Sequence, residues 1–160
     1  MTVLLISTYE LGRQPFGLAS PAAWLKRDGH EVNCQDLACG PLSSDAVRAA
    51  SLIAFYLPMH TATRLAVSAI PKVRSLNAAA HICCYGLYAP LNEALLRSLG
   101  AGTIIGGEFE PALAELAGQL AQGQTPTQTG AQVSLDRLEF IAPDRTSLPP
   151  PCCFALQYSP

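Results

Sequence analysis

The side chains able to do chemistry in this sequence are few, and their spacing argues against most catalytic uses. Cys34 and Cys39 are separated by four residues, Cys83 and Cys84 are adjacent, and Cys152 and Cys153 form a tail pair. Adjacent residues in a strand point to opposite faces, so Cys83 and Cys84 cannot share a ligand, and no spacing here matches a zinc or cluster site. For Cys34, Cys39, Cys83 and Cys84, buried thiols that pack as small hydrophobes are the better reading, while Cys152 and Cys153 read as exposed. Of the three histidines, His30 precedes a strand, His81 opens one, and only His60, in PMHTAT, follows one. No acids cluster at the strand ends to hold Mg²⁺ and accept a phosphoryl group, because the first strand runs into Ser7, Thr8 and Tyr9 with Glu10 alone beyond. Neither GxGxxG nor GxxxxGK[ST] follows that strand, so neither usual phosphate cradle is present. The nearest thing to one is IIGGEFEP, Ile104 to Pro111, where Gly106 and Gly107 would let a ligand approach the backbone at a helix start.

The elements that must position these residues alternate. Val3 to Ser7 is a short apolar run of the kind buried on both faces of a parallel sheet. Ser20 and Pro21 read as cap and first turn of a helix Ala22 to Arg27, which Gly29 stops. A strand Glu31 to Asp36, a helix from Ser44 to Ala50 capped by Ser43 or Ser44, and a strand Leu52 to Leu57 follow. Leu65, Ala69, Val73 and Leu76 give Thr61 to Leu76 a helical period, with Pro71 expected to kink or split it. His81 to Tyr85, Leu91 to Leu99, Thr103 to Ile105 and Pro111 to Gln122 complete the series as strand, helix, strand, helix.

This pattern predicts an α/β fold, a flavodoxin-like (Rossmann-like) doubly wound sheet of five parallel strands in the order 2-1-3-4-5, in three layers. Ligands of such sheets bind beyond the carboxyl ends of the strands, where the winding reverses between strands one and three. The predicted domain spans residues 1–122. Residues 123–160 read as a linker, GQTPTQTGAQ, and an arm with five prolines in its last 18 residues and no element able to stand alone.

Composition narrows the partners. The 160 residues are 49% hydrophobic and 14% charged, with a net charge of −2 and no basic block, which argues against nucleic acid and anionic membranes. The opening MTVLLISTYE lacks a basic start and a long apolar run, so a cytoplasmic chain with reduced thiols and no membrane span is expected.

Taken in order, VLLIST, QPFGLASPAAWLKRDGHEV ending at Asp36, FYLPMHTATRLA, CCYGLYAPLN and IIGGEFEPALAEL resemble the amino-terminal cobalamin-binding domain of cobalamin-dependent radical-SAM enzymes, from about Val3 to Leu120. LDRLEFIAPDRTSLPP resembles the connection that leads to their radical-SAM barrel. The resemblance implies a corrinoid across the carboxyl edge. Gln14, Pro15, Phe16, Gly17 and Leu18 would lie against the corrin; Tyr56, Leu57, Met59, His60 and Thr61, with Tyr85, Gly86, Leu87 and Tyr88, would line the path of its nucleotide tail. Gly106, Gly107 and Glu108 would let the tail pass. An apolar loop without acid or base suits a macrocycle whose chemistry is its own.

Two departures shape the expectation. The loop TYELGRQPFG has no histidine where related domains place a cobalt ligand, so cobalamin is expected base-off, with no protein histidine on cobalt. No CxxxCxxC occurs, so the iron–sulfur cluster and S-adenosylmethionine would belong to a radical-SAM domain absent from this chain, in cis or in trans, and the chain would not be catalytic alone. Apolar faces left without that domain could also promote homo-oligomers. The alternatives are a ligand-free interaction module or truncated fragment of this fold, its edge plugged by Phe16, Tyr56, Tyr85 and Tyr88, or a nucleotide-sugar-binding half of a glycosyltransferase, which LKRDGHEV resembles.

Overall fold

The computed structural model describes residues 1–150; the tail pair Cys152 and Cys153 lies outside them. The elements are β1 (Thr2–Ser7), α1 (Phe16–Arg27), β2 (Glu31–Asp36), α2 (Ser44–Ala49), β3 (Leu52–Tyr56), α3 (His60–Leu76), β4 (His81–Tyr85), α4 (Glu93–Ser98), β5 (Thr103–Gly107), α5 (Glu110–Ala121) and β6 (Gln132–Ser134). A single 3-10 turn, Pro90–Asn92, precedes α4. All neighbours in the sheet are parallel, in the order β2-β1-β3-β4-β5-β6.

Alternation along the strands builds two cores, because successive side chains take opposite faces. Leu4, Ile6, Ile53, Phe55, Ile82, Cys84 and Ile104 pack on one face with Val47 of α2, Ala66, Ile70 and Val73 of α3 and Leu96 of α4. Val3, Leu5, Leu52, Ala54, Cys83, Tyr85 and Ile105 pack on the other with Leu18, Ala22 and Leu25 of α1 and Leu113 and Leu116 of α5. The two adjacent cysteines are thus split between the faces, both fully buried, and burial pushes the Cys84 thiol up to about 12. They are packing residues.

The sheet has one strand more than the alternation predicted. β6 pairs with the end of β5, Gly106 opposite Val133 and Gly107 opposite Ser134. The segment before it is fastened by a side chain that imitates a strand: the Gln128 amide accepts from the Ile104 N–H at 2.7 Å and donates to the Ile104 carbonyl at 3.0 Å. Three residues carry too little pattern to be read as a strand; the exposed edge of β5 supplies the partner that makes them one.

Helix boundaries shift for identifiable reasons. Ser43 is the cap of α2, its hydroxyl accepting from Ala46 N at 3.3 Å. Pro71 does not divide α3, which runs unbroken over 17 residues with its apolar face set by Ala62, Ala66, Ile70 and Val73. α1 begins at Phe16 rather than near Ser20, so Pro21 lies inside it, with Pro15 in the extended cap position. β5 continues through Gly107, so the Gly-Gly pair belongs to a strand and not to the following turn.

After β6 the chain turns back across α1. The Asp144 N–H donates to the Ala19 carbonyl at 2.9 Å, Lys26 meets Asp144 at 2.7 Å, and Leu148 is buried in the α1–α5 core. Gln14 donates to the Pro149 carbonyl at 2.9 Å and accepts from Arg145. The arm is a strap over the helix that opens the candidate site.

Candidate functional site

The carboxyl ends of β1, β3, β4 and β5 form one edge, and every predicted site residue lies on it, on the loops leaving it or in the first turns of the helices that follow. Solvent access divides these residues. Phe16, His60, Thr61, Leu87 and Glu108 are exposed, while Gln14, Met59, Tyr56 and Tyr88 are half-buried. Pro15, Gly17, Leu18, Leu57, Tyr85 and Gly86 are buried and shape the edge from beneath.

Gly17 explains much of this arrangement. A Cβ at Gly17 would fall inside the ring of Tyr56, so glycine is what lets α1 sit down on that ring. The Gly17 carbonyl would bond the N–H of residue 21, but Pro21 has none. Tyr85 Oη donates to it instead, at 2.8 Å. Tyr56, Tyr85 and Phe109 then pack as a group, with centroid separations of 5.4, 5.8 and 4.9 Å, inside the usual range for aromatic pairs. Burial, with the charges of Glu10 and Glu110 adding to it, pushes the Tyr56 hydroxyl up to about 12; burial also raises Tyr85 well above its usual value. Both hydroxyls are neutral hydrogen-bonding groups at ordinary pH.

The next loops are stitched together behind the rings. Leu57 N donates to the Tyr85 carbonyl at 2.7 Å and Tyr88 N to the Leu57 carbonyl at 3.0 Å. Gly86, at φ +105°, brings this turn against the Leu57 carbonyl, where a Cβ would approach to 3.0 Å. The turn leaves Leu87 68% exposed at its tip.

The Gly106–Gly107 segment has a different partner from the one anticipated. A Cβ on Gly106 would strike Pro90, and one on Gly107, at φ +67°, would strike the Ser134 carbonyl. Glu108 N donates to that same carbonyl at 2.8 Å. Both glycines and the first N–H beyond them are therefore committed to β6 and the 3-10 turn. The phosphate-like cradle read from the sequence is filled by this chain.

Polar groups gather in two places. At the end of β1, Ser7 is fully buried and its hydroxyl has no partner among the described residues, while Asp36 across the ladder accepts from Ala38 N at 3.0 Å and from the Cys39 thiol at 3.5 Å. Burial, and then the Asp36 charge, raise the Glu10 carboxyl above its usual range. At the start of α5, Ser20 Oγ donates to Glu110 Oε1 at 2.7 Å, joining the two helices. Phe109 and Glu110 were not singled out in the sequence, and Ser20 was read only as a helix cap; the one local signal was an acid placed just before the Pro111 of a helix first turn. Among the described residues no three His, Cys, Asp or Glu side chains gather as metal ligands. His60 opens α3 and lines a groove of about 540 Å³ with Arg64, Leu65, Asn92 and Leu95. No helix among the described residues is long and apolar enough to cross a membrane.

Five of the large apolar side chains exposed to solvent leave the carboxyl ends of strands or open the segments that follow: Leu11, Phe16, Leu87, Leu91 and Leu135. This edge is an apolar rim. An exposed concentration of this kind marks a surface that meets a ligand or another domain.

No family model matches the chain, and no curated protein does. Among solved structures, the chain is similar to a radical S-adenosylmethionine methyltransferase, TsrM, from Kitasatospora setae, determined with a tryptophan substrate and an S-adenosylmethionine analogue. The TM-score is 0.64 at 19% identity, over 82% of this chain and 30% of that one. The likeness is one of fold: this chain spans less than a third of that enzyme and has the architecture of one part of it.

Proposed function

We propose that this chain is a corrinoid-binding domain of the kind that serves radical-SAM enzymes, with cobalamin lying across the carboxyl ends of its strands. The observation that carries the reading is the apolar rim, which presents Phe16 and Leu87 above a sheet edge with no acid or histidine in the loop that opens α1 from Gln14 onward. The order of the sequence segments that resemble such domains and the fold likeness to a radical-SAM methyltransferase support it independently. Bound cobalamin would supply the reactive cobalt–carbon chemistry. The chain's own part is to hold the flat ring with Phe16, Met59, Leu87 and Tyr88, to offer Gln14, Thr61 and Glu108 to its polar side arms, and to exclude water beneath it with the Tyr56–Tyr85–Phe109 group. His60 is the nearest histidine in sequence to these loops, and the reading assigns it to the tail path, with cobalt base-off. The radical-SAM domain would be the partner, in the same polypeptide or another.

The rim fits a macrocycle. The space between α1 and α5 does not fit a nucleotide tail as the three rings stand, because Tyr85 and Tyr56 occupy it and Tyr85 is fully buried there. That observation favours a second reading, in which the fold is kept without ligand and the rim docks another domain.

Titration with hydroxocobalamin, followed by desalting, separates the two. Colour that stays with folded protein and shows a base-off spectrum is the expected result. Colourless, folded protein after desalting overturns the corrinoid reading and leaves the docking one.

A further inference from the structure

The strap that returns across α1 forms one wall of a second, open cavity of about 330 Å³, lined by Phe16, Ser20 and Trp24 of α1, the start of α5 and residues 135–141. This is within the range of small-ligand sites. Glu110 lines it, is only 6% exposed, and has one oxygen satisfied by Ser20; the other, Oε2, is buried with no hydrogen-bond partner among the described residues. A carboxylate oxygen held out of water without a donor is left with its desolvation uncompensated, so its place is one that a donor would improve. The charges around it agree in sign: Glu108, Asp136 and Glu139 line the same cavity against the one guanidinium of Arg137. Its walls also carry the aromatic side chains Phe16, Trp24 and Phe140, of a kind that attracts cations, and the Arg27 guanidinium already lies 4.6 Å from the Trp24 ring centroid.

We propose that this cavity binds a small organic cation carrying N–H donors, an alkylammonium or guanidinium, with Glu110 Oε2 as its acceptor and the aromatic walls around its charge. An anion is disfavoured by four carboxylates, and a purely apolar ligand would leave the orphaned oxygen unmet. Water alone would satisfy Oε2 but would not account for three rings and three further acids around it. Arg137 is the internal competitor for the same acids.

Trp24 lines the cavity and is the sole tryptophan of the chain, so its emission reports occupancy directly. The full chain is titrated with agmatine and with propylammonium at constant ionic strength, and with tetramethylammonium, which has the charge but no N–H. A saturable change in Trp24 emission with the first two, weakened about tenfold or more in Glu110→Gln, is expected from the loss of a charged hydrogen bond. Tetramethylammonium should bind much more weakly, and Arg137→Ala should bind agmatine more tightly. The proposal is overturned by the absence of a saturable response, by equal affinity in Glu110→Gln, or by tetramethylammonium binding as tightly as agmatine. Should Glu110→Gln lose its fold by circular dichroism, the paired variant Glu108→Gln and Glu139→Gln, at exposed positions, must weaken agmatine binding; unchanged affinity there overturns it equally. No corrinoid is present in these titrations, so their outcome stands whether or not the rim takes one.

Discussion

The Tyr85 hydroxyl donates to the Gly17 carbonyl at 2.8 Å, and that carbonyl is the one Pro21 deprives of its helical donor. A β4 side chain thus completes the hydrogen bonding of α1 across 68 residues of sequence. Tyr85→Phe should leave the buried carbonyl unpaired and destabilise the chain by about 1–3 kcal/mol, measured by urea unfolding. Pro21→Ala restores an N–H at that turn, so the double variant should recover part of the loss. Strict additivity of the two changes would show that Gly17 is not the shared link.

Gly107 is held at φ +67° with the Ser134 carbonyl where its side chain would be. Gly107→Ala should detach β6 while the five-stranded body stays folded. Hydrogen exchange checks this: the Glu108 amide, which donates to Ser134, should lose protection while amides of β1 and β3 keep theirs. Retained protection at Glu108 would mean that the backbone yields without losing the strand.

Leu87 stands 68% exposed at the tip of the turn after β4. Leu87→Glu should therefore leave thermal stability nearly unchanged, as surface substitutions do. On the corrinoid reading it sets a charge against an apolar ring face, and hydroxocobalamin retention should fall by about tenfold or more. Undiminished retention would remove Leu87 from the contact surface.

His81 lies at the opposite edge of the sheet, its Nε2 2.8 Å from Thr103 Oγ1, and burial, followed by the nearby Arg74 charge, lowers its pKa below the usual value. A histidine depressed in the folded state takes up its proton first in the unfolded chain. Stability is therefore full above the unfolded value near 6.5 and declines as pH falls below it toward the folded pKa. His81→Gln should flatten that decline in urea midpoints taken between about pH 7 and pH 5. An unaltered slope would assign it to other groups.

Asp144 is held down to about 2 by its hydrogen bonds to Lys26 and Thr146. Its depressed carboxyl contributes to holding the strap at neutral pH, and that contribution is lost as pH falls from the unfolded value near 3.8 through about 2. Asp144→Asn should speed proteolytic cleavage between residues 135 and 150 severalfold at neutral pH with little change in the melting temperature, since a solvent-accessible ion pair of this kind contributes little globally. Cleavage at the wild-type rate would show that Leu148 and the Asp144 amide suffice.

The sequence by itself determined the winding of this protein. Short apolar runs at Val3 to Ser7, Leu52 to Tyr56 and His81 to Tyr85, alternating with helical periods, are local patterns, and local patterns with right-handed crossovers leave little choice of sheet order. It also fixed which edge carries the loops, and that Cys83 and Cys84 part to opposite faces, because both follow from strand direction and a period of two. Tertiary structure alone decided what fills that edge. Pro21 reads locally as a helix start, and only the Tyr85 hydroxyl, distant in the chain, makes it tolerable inside α1. Gly106 and Gly107 read as a ligand cradle until three residues after a Gln- and Thr-rich linker find the open edge of β5 and take the space. Glu110 shows nothing in sequence beyond an acid at a helix start; its buried, half-satisfied carboxylate exists because α1, α5 and the strap converge there. Such features depend on contacts between segments many residues apart, for which a local pattern carries no period to read.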